Sequence, residues 1–238
     1  MLQNLYEDNM LSMRGLRKEG SKTLLLSFTG IGHQMGGINV QREEFVGSSI
    51  KNGNVIFITD KSRSWGNHLD IIKIHQVIQS FGKFNKIIAL GNSMGGTNAM
   101  VIGPVLGAKI IISFAPQYSV HPKIFPDMCN EQLNKYRDNI TKWVFPTADH
   151  TIKNKEVLEY IFHGDENGEL WHASRFKRKP PLRNHFIVFG SDHNVAERLK
   201  SKNCLSSVIE SCVSCMDYMY ISKIMAAAGL KVGRLKGC

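Results

Sequence analysis

Lys86-Ile87-Ile88-Ala89-Leu90-Gly91-Asn92-Ser93-Met94-Gly95-Gly96 is a short apolar run that ends in Gly-x-Ser-x-Gly. The apolar part reads as a buried strand, and the glycine-serine pattern as a sharp turn into a helix with Ser93 at the apex. Backbone at such an apex is strained and its neighbours must be small, which Gly91 and Gly95 satisfy. A hydroxyl held there projects clear of the sheet, and the first N–H groups of the following helix point toward negative charge forming beside it. The pattern is short enough to arise by chance in a chain with 21 glycines. Its context, a strand before and a helix-forming stretch after, is what marks Ser93 as a nucleophile.

Outward from this turn, strand-like and helix-like stretches alternate. Lys22 to Phe28 is an apolar run closed by Thr29-Gly30-Ile31-Gly32, with Met10 to Arg17 before it as an edge strand or hairpin. Asn54 to Asp60 is a second β-branched run, ending in the polar stretch Lys61 to Asn67. Leu69, Ile72, Ile74, Val77, Ile78 and Phe81 recur at mainly helical spacing until Gly82. A helix follows Ser93 through Leu106, and Ala108 to Pro116 is a further strand. Val157 to His163 and Phe186 to Gly190 are the last two strands, and Asn203 to Leu230 reads as one or two terminal helices. Strands apolar on both faces need helices covering both, so the order predicts an α/β fold with a mostly parallel central sheet flanked by helices. The segment from 117 to 150 is polar, carries Pro122, Pro126 and Pro146 and a helix near Asn130 to Val144, and reads as a small cap or insertion. The whole chain, 1–238, reads as one domain.

Composition narrows the function. The chain has 238 residues, enough for a sizeable core without staples. No run of about eighteen apolar residues exists, and Glu7 and Asp8 stand where a signal peptide would be basic and then apolar, so a cytoplasmic protein without a membrane span is expected. Five cysteines, an odd number, argue for reduced thiols; Cys212-Val-Ser-Cys215, with Cys204 near, reads as small helix side chains rather than a metal site. The formal charge of +10 favours anionic partners without naming one. The densest basic stretch, Arg175 to Lys179 with Arg183 after Pro180-Pro181, belongs to no nucleic-acid module and reads as a solvated loop.

Serine needs a general base. Among nine histidines, His193 in Gly190-Ser191-Asp192-His193-Asn194 follows the last strand and so shares a rim with Ser93; His33, His68 and His185 read as ordinary loop histidines. The orienting acid belongs after the preceding strand, in Gly164-Asp165-Glu166-Asn167-Gly168-Glu169. Asp165, nearest the strand end, is the first choice. Glu169 is the alternative, unless it caps a helix starting at Leu170, and Glu166 comes third. Asp192 adjoins His193 too closely in sequence and reads as structural. The oxyanion would be held by the Met94 N–H and by a donor from the Gly30-Ile31-Gly32 loop, with Ile31 the candidate.

In these parts the chain resembles the α/β-hydrolase superfamily, over roughly Leu24 to Lys200. The order of Ser93, an acid near Asp165, and His193 matches that superfamily, although Asn167 stands where its common Gly-x-x-Asp pattern would place the acid after Gly164. Ser113 to Val120 is similar to small bacterial hydrolases found beside surface-polysaccharide genes. The resemblance implies a serine esterase without metal or organic cofactor, acting on a glycan or small-molecule ester. An acyltransferase with a sugar acceptor, or a non-catalytic binding protein on the same fold, are its alternatives.

Overall fold

In the computed structural model the described residues are 2–32, 40–126, 131–151, 156–166, 168–176 and 182–234. His33, Gly36, Gly37, Cys129, Asn167, Cys238 and positions 177–181 of the basic stretch lie outside them. The chain opens with β1 (Gln3–Glu7) and β2 (Leu11–Leu16), then runs β3 (Thr23–Phe28), α1 (Val46–Asn52), β4 (Asn54–Asp60), α2 (Ile71–Phe81), β5 (Lys86–Asn92), α3 (Met94–Ile102) and β6 (Ile110–Phe114). After α4 (Glu131–Asp138) come β7 (Leu158–Gly164), α5 (Glu169–Ala173), β8 (Arg183–Val188), α6 (Val195–Ser201), α7 (Leu205–Val213), α8 (Tyr218–Ala227) and β9 (Val232–Gly233).

All nine strands join one sheet in the order β1-β2-β4-β3-β5-β6-β7-β8-β9. The six from β4 to β8 in that order are parallel, and β1, β2 and β9 are antiparallel at the edges. Side chains alternate across the sheet, and helices bury both faces. Leu24, Leu26 and Phe28 pack with Ile74 and Ile78 of α2 and Met100 of α3. Leu25 and Val55 belong to the opposite layer with Leu199, Val208 and Ile221 of the C-terminal helices. Because β3 lies between β4 and β5, the chain leaves β3 toward one edge and leaves β5 toward the other. That reversal opens a crevice at the carboxyl ends of these two strands, where ligands of such sheets bind.

Several boundaries differ from the sequence reading. The N-terminal stretch takes the hairpin alternative, with its first strand, Gln3–Glu7, ahead of the Met10 to Arg17 run. The helix after Ser93 ends at Ile102, just ahead of Gly103-Pro104, since proline cannot continue the ladder. The helix expected near Asn130 to Val144 ends at Asp138, and beyond it the Val144 and Phe145 N–H groups donate to Asn67 Oδ1. The last parallel strand begins at Arg183 rather than Phe186. Arg183 is therefore no part of a solvated loop. It donates from Nε and Nη2 to both oxygens of Glu159 at 2.9 and 3.0 Å, with the two side chains 1% and 0% exposed. A buried guanidinium needs such a two-pronged partner to offset lost hydration, and Glu159, on the neighbouring strand, is invisible to local composition.

Rings also stack across β6, β7 and β8. Phe45, Phe114, Phe162, Phe186 and Tyr218 follow one another with centroids 5.4, 4.7, 4.6 and 4.6 Å apart. Phe162 is in the middle and fully buried. Phe162→Ala removes two stacked neighbours and opens a cavity, so urea unfolding is expected to show a loss of about 3–5 kcal/mol.

Candidate active site

Ser93 occupies the single residue between β5 and α3, at φ 56° and ψ −122°. Its own N–H donates to Phe114 O at 2.8 Å, tying the turn to the next strand. The flanking glycines are sterically required. A Cβ on Gly91 would lie 2.1 Å from Gly95 O, and one on Gly95 would lie 2.2 Å from Phe28 O. Arg63, Trp65 and Ala115, just beyond the carboxyl ends of β4 and β6, also have positive φ. Backbone strain thus gathers on the rim that holds Ser93.

His193 lies in the turn between β8 and α6, and its Nε2 is 2.7 Å from Ser93 Oγ. Its Nδ1 is 2.7 Å from Glu169 Oε1. A carboxylate oxygen can only accept, so Nδ1 carries the hydrogen and Nε2 presents a lone pair to the serine O–H. Glu169 opens α5, where Gly168 at φ 83° turns the chain, and its side chain is 4% exposed. Burial opposes protonation of His193, but the hydrogen bond from Nδ1 and the charges of Glu169 and Asp192 outweigh it and hold the imidazole pKa above its ordinary value.

Asp165, the first choice for the acid, faces elsewhere: its Oδ1 accepts from Gly190 N at 2.7 Å. The backbone on either side of it is held where the ends of β7 and β8 meet. The N–H groups of Asp165 and Glu166 both donate to Ser191 O, and a Cβ on Gly164 would lie 2.0 Å from that oxygen. Asp165 is a pin between the two loops. Glu166 is exposed and its carbonyl accepts from the Glu169 N–H. Asp192 closes its own turn by accepting from Asn194 N at 2.8 Å.

The two oxyanion candidates share a neighbourhood. Met94 is the first residue of α3, where helical N–H groups have no intrahelical acceptor. Its side chain joins Ile31, Trp65, Val120 and Ile140 in one buried cluster, so described residues of the 117–150 segment pack against the rim.

Several residues at this rim gave little signal in the sequence. Asp60, at the end of β4, accepts from Ser62 Oγ, Ser64 N, Ser64 Oγ and Gly66 N, and so shapes the polar 61–67 loop. Trp65 Nε1 donates to Gln117 Oε1 at 2.6 Å. Glu44 accepts from Gly30 N at 3.3 Å, and burial pushes its carboxyl up to about 7. Two buried histidines, His163 and His172, and the half-buried His185 lie near Glu169 and His193. His163 Nε2 donates to Pro116 O and His163 Nδ1 meets His185 Nε2, each at 2.9 Å, while His172 Nδ1 accepts from Tyr118 N. Burial pushes all three down to about 3, so they are neutral at ordinary pH. His185 is thus a half-buried residue of β8, not a loop histidine.

Among the described residues no group of three His, Cys, Asp or Glu is placed to hold a metal, and no helix is long and apolar enough to cross a membrane. Cys212 is buried on α7, where burial raises its thiol pKa, and Cys215 is exposed just beyond.

A parallel sheet with this strand order, a serine at a strained strand-to-helix turn after β5, and a histidine loop after β8 define an α/β-hydrolase-like fold. Solved structures of that fold resemble the chain over most of its length. The capsule O-acetyltransferase of Neisseria meningitidis serogroup A is 18% identical, covering 86% of this chain and 93% of its own, at a TM-score of 0.62. A mutant of that enzyme in complex with CoA is similar at 16% identity, 84% and 93% coverage and a TM-score of 0.61. Esterase B from Lactobacillus Rhamnosis is 10% identical over 90% of this chain and 85% of its own, at a TM-score of 0.57. No protein-family model and no curated protein matches the sequence.

Proposed function

We propose that the protein is a serine-dependent acyl-transferring enzyme, cleaving a carboxylic ester through Ser93, His193 and Glu169. The observation that carries this reading is the continuous chain of two 2.7 Å hydrogen bonds from Ser93 Oγ through the His193 ring to Glu169. In the proposed reaction His193 Nε2 takes the serine proton as Oγ bonds to the ester carbonyl carbon, and the carbonyl π pair moves to oxygen. The N–H groups of Met94 and Ile31 hold that oxyanion. Collapse expels the alcohol, which leaves with the proton from His193, and the acyl group stays on Ser93. Water then attacks with His193 again as base, releasing the acid and free serine.

The second half-reaction is where two readings part. If a sugar hydroxyl replaces water, the same residues make an O-acyltransferase, and the likeness to a capsule O-acetyltransferase, one structure of which holds CoA, favours this reading. A panel of short-chain p-nitrophenyl esters and acetyl-CoA, each with and without a polysaccharide acceptor, separates them. Product that is free acid in both conditions supports the esterase; acetylated acceptor supports the transferase. A non-catalytic binding protein would not need Ser93 and His193 in contact, and the distance between them speaks against it. The 117–150 segment, whose Val120 and Ile140 pack against the rim, is the proposed cap that shapes the acyl or acceptor pocket.

The His193 environment predicts a pH dependence. A protonated imidazole cannot accept the serine proton, so kcat/KM falls as pH drops through the His193 pKa. Because that pKa is raised, the midpoint of the acid limb is expected above the ordinary ~6.5. Glu169→Gln removes the negative charge that raises it, so an NMR titration of the His193 ring in that variant is expected to show a lower midpoint than in the wild type. An unchanged midpoint would count against the Glu169–His193 pairing.

A further inference from the structure

The carbonyl and the N–H of one trans peptide unit point in opposite directions. Whatever holds Gly30 O therefore aims the Ile31 N–H. The holder is Gln41, whose Nε2 donates to Gly30 O at 3.1 Å and to Asp60 O at 3.0 Å. One side-chain amide thus ties the loop after β3 to the end of β4. The next carbonyl is held too, since Arg63 Nε donates to Ile31 O at 3.2 Å. On the other side of the unit, Gly30 N donates to Glu44 Oε1, and the Glu44 carbonyl accepts from Ser27 Oγ at 3.0 Å. The segment carrying Gln41 and Glu44 lies directly against the loop: Gly32 has φ +95°, and a Cβ there would fall 2.1 Å from Val40 O.

We infer that Gln41 is a positioning residue for the oxyanion site, fixing the peptide plane between Gly30 and Ile31 so that the Ile31 N–H is aimed before substrate arrives. The inference rests on the proposed acyl-transfer function. Its physical basis is preorganisation: a donor already aimed costs no reorganisation as charge develops, and small misplacements of a reacting geometry are costly. Glutamine suits the task because one neutral NH2 group offers two donors to two carbonyl oxygens. Met matches its length without donors, and Glu matches its shape but sets oxygens against both carbonyls.

The test compares Gln41→Met and Gln41→Glu with the wild type, using p-nitrophenyl acetate turnover and binding of an aliphatic trifluoromethyl ketone, whose serine adduct carries an oxyanion. Full loss of an oxyanion donor costs about 10²–10³ in kcat, so misaiming one is expected to lower kcat about 10–100-fold. KM should stay within about twofold and ketone affinity should fall in proportion to kcat, because only the charged adduct uses the donor. Wild-type kcat and ketone affinity in both variants would overturn the inference while leaving the function intact. Unfolding of both variants, or a rise in KM that accounts for the whole loss, would overturn it in favour of a purely structural Gln41. If the wild type neither turns over ester nor binds the ketone, and a fluorophosphonate does not label Ser93, the functional reading itself fails and the inference with it.

Discussion

Ser93→Ala is expected to leave a folded protein with essentially no acyl transfer, kcat falling about 10⁶-fold for whichever acceptor proves correct. The backbone has little reason to change. Serine and alanine carry the same Cβ at φ 56°, and the N–H bond to Phe114 O does not involve the side chain. What is lost in the ground state is one hydrogen bond to His193, worth about 1 kcal/mol. The check is paired: thermal unfolding to show the fold is intact, and fluorophosphonate labelling with an ester panel to show that the nucleophile is gone. Hydrolysis or transfer surviving at the wild-type rate would remove Ser93 from the chemistry.

The second large effect separates two carboxylates that lie four positions apart. Glu169→Gln keeps the shape of the side chain but lets it offer an N–H to His193, favouring the wrong tautomer and removing the charge that stabilises the imidazolium. A loss of about 10⁴ in kcat is expected, equivalent to roughly 5.5 kcal/mol of barrier at about 1.36 kcal/mol per tenfold. Asp165→Asn can still accept from Gly190 N through its amide oxygen, so activity within about threefold of wild type is expected, as for substitutions that keep their local bond. Steady-state kinetics on the two variants decides the matter. A collapse in Asp165→Asn with Glu169→Gln unharmed would return the acid role to Asp165.

Asp165 stands nearest the strand end, and proximity in sequence to a strand end is what a one-dimensional reading can see. The direction in which each carboxylate points depends on how the β7 and β8 loops meet. Gly164 admits the Ser191 carbonyl with no room for a side chain, and this brings Asp165 against Gly190 instead of the imidazole. The chain then reverses at Gly168, and Glu169, buried at the start of α5, reaches His193. The basic stretch shows the same blindness. Arg183 shares its composition with its neighbours, yet it is a core residue because Glu159 lies beside it on another strand.

Local patterning was sufficient for the alternation of strand and helix, the double-sided burial that calls for a parallel sheet, the turn at Ser93 and the position of His193 on the same rim. These follow from short-range rules: apolar period, glycine where no side chain fits, and the carboxyl ends of parallel strands as the place where loops converge. Tertiary structure alone decided which carboxylate meets His193, which basic residue is buried, and that Gln41, Glu44 and Arg63 clamp the loop after β3. Each of those outcomes is a hydrogen bond between segments distant in sequence or turned by a single backbone angle. Such bonds depend on the relative placement of strands, which no local property of the chain encodes.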